Sequence, residues 1–164
     1  MSDVASSTIG SIDSMAEEIF CLTVLAWRER LSARHHGEAA DLSESQFLTL
    51  DTLVNGQTRT VGELQRSIGV LPAQMSRIIR SLESGFDKPL IRCELNQQDK
   101  RKIDVTLTNA GLRVYNEFRS ARIAKNVEVL GNLPEHDRVE FVRICKDIKA
   151  LYQEGLRRTA EQMS

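Results

Sequence analysis

A threonine, two glycines and a proline, placed between residues 60 and 85, constrain this chain more than its composition does. Thr60-Val61-Gly62-Glu63 has the spacing of a capping box: a hydroxyl accepts from the backbone N–H three residues on, and a carboxylate reaches back. A helix is expected to start there. Val61, Leu64 and Ile68 fall on one face of it, and Gly69 stands where a helix end needs a residue at ease at positive φ. The chain restarts at Leu71-Pro72, with Pro at a first helical position, and runs to Leu82-Glu83 before a second helix-ending glycine, Gly85. Two short helices joined by a tight turn form the unit that can lay its second helix in a DNA major groove.

The second helix divides by face. Met75, Ile78, Ile79 and Leu82 recur at spacings of three and four and are expected to pack inward. Ala73, Gln74, Ser76, Arg77 and Arg80 then face out, with no acid before Glu83. A surface of that kind can approach phosphates and base edges. Gln can pair with adenine, Arg with guanine, and Ala can lie against a thymine methyl. An ordinary solvated amphipathic helix is the alternative, and the segment beyond Gly85 argues against it. Leu90-Ile91-Arg92-Cys93-Glu94 leads through a polar stretch to Ile103-Asp104-Val105-Thr106-Leu107, whose strict alternation predicts a strand with one buried face. The intervening tip carries Asp99 and then Lys100, Arg101 and Lys102, so a short ribbon projects positive charge. Such a ribbon can carry Arg into a narrow minor groove, where the negative potential is enhanced. Helix, turn, helix and charged hairpin together read as a winged helix-turn-helix.

In order and spacing, Glu63-Leu64, Ile68-Gly69-Val70, Ser76-Arg77, Leu82-Glu83, Asp99-Lys100-Arg101 and Leu107-Thr108-Asn109-Ala110-Gly111 resemble a MarR-type transcription regulator. The resemblance covers the middle of the chain, from Leu42 to Gly111, and extends more loosely to helices on both sides. It implies that the Leu71–Glu83 helix reads the major groove, that Asp99 braces the wing and that Arg101 enters the minor groove. Thr60 would cap its helix near the DNA backbone. There are two departures from the family pattern. Leu71 stands where a Ser, Thr or Asp cap is usual, a loss of about 1 kcal/mol. Extra residues around Phe86-Asp87-Lys88-Pro89 separate the helix from the first wing strand.

Net charge, −1 over 164 residues, looks wrong for a nucleic-acid binder until it is divided along the chain. Between Gln57 and Val105 there are nine Lys or Arg against six Asp or Glu, which leaves the remainder at −4. The positive charge thus sits on the proposed reading head, and binding should weaken steeply with salt. Outside that head, Ile12, Met15, Ile19, Phe20, Leu22, Leu25 and Trp27 form an apolar set too broad for one helix face. Phe141, Ile144, Cys145, Ile148, Leu151, Tyr152 and Leu156 form a helical stripe, reached through a long helix from Thr108 and a Leu133-Pro134 helix start. Such helices find partners most simply in a second subunit. The resemblance likewise implies a homodimer whose two recognition helices meet a pseudo-palindromic duplex one DNA turn apart.

The expected fold is therefore mainly α within the α+β class: a flexible 1–10, a dimerisation helix in 11–40, a winged helix-turn-helix in 41–107 and dimerisation helices in 108–164, together a single intertwined domain. No apolar run is long enough to cross a membrane, and residues 1–10 lack the basic and apolar regions of a signal peptide. A cytoplasmic chain with three reduced cysteines is expected. The functional reading is a repressor of transcription, its direction implied by the family, released by a small aromatic or phenolic ligand. Trp27 and Arg28 would line the ligand pocket by resemblance; on residues alone they are a core aromatic and a surface cation. A thiol-sensing regulator using Cys21 is a rival, although a packed, inert Cys21 fits its context better, as packing roles fit Cys93 and Cys145. Another rival is a winged helix used for protein contact. His35-His36, with Glu38 and Asp41, lack the spacing of metal ligands. No phosphate loop, ligand cluster or nucleophile with a nearby base suggests an enzyme or a cofactor.

Overall fold

A computed structural model describes residues 11–33 and 42–162. The expectations for the first ten residues, and for His35, His36, Glu38 and Asp41, lie outside the described residues. The elements run α1 (Ile12–Ala33), α2 (Glu44–Leu53), β1 (Arg59–Thr60), α3 (Val61–Ile68), α4 (Pro72–Ser84), β2 (Ile91–Leu95), β3 (Ile103–Leu107), α5 (Asn109–Gly131) and α6 (Glu135–Gln162). The chain falls into two compact units, Met1–Phe118 and Arg119–Ser164.

Local chemistry starts each short helix. At α2, the Gln46 backbone N–H donates to Ser43 Oγ at 3.2 Å, and Ser43 N–H donates to Gln46 Oε1 at 2.7 Å. At α3, Glu63 N–H donates to Thr60 Oγ1 at 3.3 Å and Thr60 N–H donates to Glu63 Oε2 at 2.7 Å. Both are complete capping boxes. Gly69 ends α3 at φ 73°, a conformation that costs a side-chain-bearing residue stability. Gly85 follows α4 at φ −91°, so its role differs from the left-handed stop at Gly69.

The wing is part of a three-stranded antiparallel sheet in the order β1-β3-β2, one strand more than the hairpin read from the sequence. β3 pairs Val105 with Arg59 on one side and with Cys93 on the other. The edge strand is two residues long, too short for periodicity to reveal, and it exists only through pairing with a strand some forty-five residues later. Beneath the sheet, Leu50, Leu53, Leu64, Met75, Leu82, Ile91 and Val105 are fully buried. Burial of side chains of this size contributes about 1.5–3 kcal/mol each.

The first turns of α5 close this core from the far side. Tyr115 stacks on Phe47 with ring centroids 5.2 Å apart, and Phe118 meets the same ring at 4.8 Å. Tyr115 Oη donates to Asp51 Oδ1 at 2.6 Å, satisfying a hydroxyl that would be costly to bury alone. At the head of α5, Thr108 Oγ1 donates to the Pro89 carbonyl at 2.7 Å and accepts from Gly111 N–H at 3.0 Å. Thr108 N–H donates to Leu90 O at 3.1 Å. The helix thereby starts against the root of the wing. The connection between α4 and β2 is tied at its end, where Leu90 N–H donates to Leu82 O at 2.9 Å, and Phe86 packs against the core.

In the second unit, α6 carries an ion-paired ladder in which Arg143 bridges Glu140 at 2.6 Å and Asp147 at 2.9 Å. Its apolar residues, including Phe141, Leu151, Tyr152 and Leu156, are exposed on the single chain.

Candidate nucleic-acid interface

Helix α4 owes its facing to apolar spacing. Met75 and Leu82 are buried, and Ile78 and Ile79 are half-buried. Ala73, Gln74, Ser76, Arg77 and Arg80 are all exposed. Among the described residues no carboxylate pairs with Arg77 or Arg80, so both guanidinium groups are available to an external anion. The helix is oriented by a side-chain bond from below: Gln46 Nε2 donates to Ser81 Oγ at 2.8 Å. Gln46 thus completes the α2 cap with its oxygen and holds α4 with its nitrogen, a second role invisible in local sequence.

The first turn of α4 is tied back on itself. Leu71 has no acceptor side chain, but its N–H donates to Gln74 Oε1 at 3.0 Å, so half of a capping box survives. Bidentate pairing of Gln74 with adenine would compete with that bond. Ser76 Oγ donates to the Pro72 carbonyl at 3.1 Å.

The wing tip, residues 96–102, is held by its own polar side chains. Asn96 Oδ1 accepts from Gln98 N–H at 3.0 Å and Asp99 N–H at 2.9 Å, while Asn96 Nδ2 donates to the Asp104 carboxylate at 3.0 Å. Asp99 Oδ1 accepts from the Arg101 backbone N–H at 3.1 Å and from its Nε at 3.2 Å, and Lys102 Nζ lies 3.8 Å from the other oxygen. The Arg101 backbone bond, followed by its side-chain bond, holds the Asp99 carboxyl below its usual range. The side chain of Arg101 is 92% exposed although tethered at its base. Lys100 and Lys102 are exposed beside it. The structure thus brings Asp99, Arg101 and Lys102 together, with Lys100 at the same tip.

Thr60 is half-buried and engaged by both its backbone and its hydroxyl with Glu63, whose carboxyl those bonds hold low. Arg59, which the motif spacing does not single out, precedes it on β1. Its Nη2 donates to Gln57 Oε1 at 2.6 Å, while its Nε is buried without a hydrogen-bond partner among the described residues. A cation directly before a helix cap was the available signal.

The cysteine expectations divide. Cys93 is half-buried on β2, and burial first, then the Glu83 carboxylate, pushes its thiol up to about 11; packing is its role. Cys21 and Cys145 were expected in packing roles as well, but both are exposed. The apolar residues around them on α1 and α6 are uncovered within the single chain. Trp27 is exposed in place of the core position expected from its residue type, and Arg28 is exposed beside it.

No family model matches the chain, and no curated protein matches it. Solved structures do. A MarR variant from E. coli shares 19% identity, covers 87% of this chain and 98% of its own, and superposes with a TM-score of 0.66. The PcaV transcriptional regulator from Streptomyces coelicolor, in complex with its natural ligand, shares 19% identity over 92% of this chain and 98% of its own, with a TM-score of 0.53. A MepR variant from S. aureus bound to an oligodeoxyribonucleotide shares 19% identity over 83% and 97%, with a TM-score of 0.58. The fold is that of the MarR-type winged-helix regulators.

Proposed function

We propose that this chain is a sequence-specific double-stranded DNA-binding regulator of transcription, acting as a homodimer on a pseudo-palindromic operator. The observation that carries the reading is the joint presentation of an exposed α4 face with no acid before Glu83, whose Arg77 and Arg80 meet no carboxylate among the described residues, and a braced cationic tip at Asp99–Lys102. One element fits a major groove and the other a minor groove. The similarity to regulators, one of them bound to an oligonucleotide, supports it.

Dimerisation is supported by the uncovered apolar residues of α1, where Ile12 is 84% exposed, and of α6, where Tyr152 is 72% exposed. On each helix taken by itself, a run of exposed apolar residues is characteristic of an association face. The proposal includes a repressor direction and release by a small aromatic or phenolic ligand, with Trp27 and Arg28 as candidate lining; that a similar regulator, PcaV, is found in complex with its natural ligand supports the ligand part. A second reading, in which an oxidant releases DNA, takes as its sensor Cys21, a thiol exposed on the single chain. Hydroperoxide response should then vanish in Cys21→Ser, and a response unchanged in that variant excludes Cys21 as the sensor.

The test of DNA reading uses a duplex selected by the protein from a random pool. At fixed salt, Arg77→Ala and Arg101→Ala should each weaken binding by more than about 1 kcal/mol, and raising salt should weaken the parent protein steeply. Retained affinity in both variants would remove these surfaces from the interface. Partner-protein capture without salt-dependent duplex binding would favour a protein-contact module.

A further inference from the structure

Leu71 breaks two local rules at once. It occupies the N-cap of α4, where a polar acceptor would stabilise the helix by about 1 kcal/mol. It is also 68% exposed, more than any other large apolar residue between Leu42 and Phe118. Neither capping nor core packing accounts for it. The neighbouring polar groups do not mask it either: Gln74 Oε1 is held by the Leu71 N–H, and the Ser76 hydroxyl is turned back to the Pro72 carbonyl. The leading turn of α4 therefore presents Leu71, Pro72 and Ala73, all exposed. It is an apolar edge on an otherwise polar and cationic face.

We propose that Leu71 is a specificity-determining residue that packs against the 5-methyl group of a thymine in the major groove. The inference rests on the DNA-reading role of α4 proposed above. Among the standard base edges of that groove, the thymine methyl is the only apolar group. The Gln74 bond to the Leu71 N–H fixes the backbone at the head of the helix, so the side chain projects from a defined point on it. Leu71 then discriminates thymine from cytosine at one position of each half-site, while Arg77 and Arg80 supply polar contacts further along.

The experiment replaces each thymine of a selected duplex, one position at a time, with deoxyuridine, which removes the methyl and keeps the pairing edge. For the parent protein, one position per half-site should weaken binding by about fourfold, the effect of one buried methyl group. Leu71→Ala and Leu71→Ser should bind the thymine and deoxyuridine duplexes equally at that position, while still losing affinity with salt. Leu71→Ser restores a polar cap, so its thermal melt should be no lower than that of the parent, which separates contact from folding. The proposal is overturned if the parent shows no thymine preference at any position or if both variants keep it. Absence of salt-dependent duplex binding by the parent would overturn the DNA-reading role and this inference together; intact binding without methyl dependence overturns this inference alone.

Discussion

At the residue scale the structure explains why particular side chains stand where the motif spacing put them. Gly111 lies so close to the wing root that a Cβ there would sit 2.0 Å from the Leu90 carbonyl oxygen and 2.8 Å from Leu107 Cδ1. The backbone oxygen cannot yield as a flexible side chain can. Gly111→Ala should lower stability by about 3 kcal/mol, read as a fall in the urea midpoint. Asp99 gives a pH prediction. Its carboxyl is depressed in the folded wing by the bonds from Arg101, so the tip's stabilisation is complete above the ordinary aspartate range. It is lost as pH falls through the lowered folded value. Hydrogen-exchange protection of the Arg101 amide should decline over that acid window, and Asp99→Asn should flatten the decline.

At the element scale, legibility tracked distance along the chain. The boxes at Ser43–Gln46 and Thr60–Glu63 rest on residues three apart, as does the half-box at Leu71–Gln74. Of these, the Thr60 box is the one read directly from the sequence. Facing in α3 and α4 likewise followed from period, whereas on β3 the expected buried face holds fully only at Val105, with Leu107 half-buried and Ile103, next to the polar tip, exposed. What escaped was long-range: β1 as the sheet edge, the Gln46–Ser81 bond across thirty-five residues, and the Tyr115–Asp51 bond across sixty-four. No local pattern encodes a partner at that separation. Thr60→Ala removes the hydroxyl arm of a box and should cost about 1 kcal/mol, measured by denaturant titration. Gln46→Leu should lower duplex affinity more than Thr60→Ala relative to its effect on stability, because it also frees Ser81 on α4. Equal ratios for the two would show that the Gln46 bond does not orient the reading helix.

At the scale of the whole molecule, what the sequence left undecided is what covers the outer helices. Their apolar residues were plain in the sequence, but burial by a second copy is a property of two chains. If a homodimer forms, alkylation of Cys21, which lies on α1, should slow as protein concentration rises through the dimer dissociation constant. Cys93 should stay slow throughout near neutral pH, because its thiol is pushed up to about 11 and the thiolate is the reactive form. A Cys21 rate independent of concentration would place it outside the dimer face. The Thr108–Gly111 junction at the wing root carries one more consequence. A genetic screen for loss of regulation should return two groups of substitutions. Changes at Arg77 or Arg101 would leave cellular protein abundance unchanged. Changes at Gly111, remote from the reading surface, would deplete the protein, so abundance alone would sort recognition defects from folding defects.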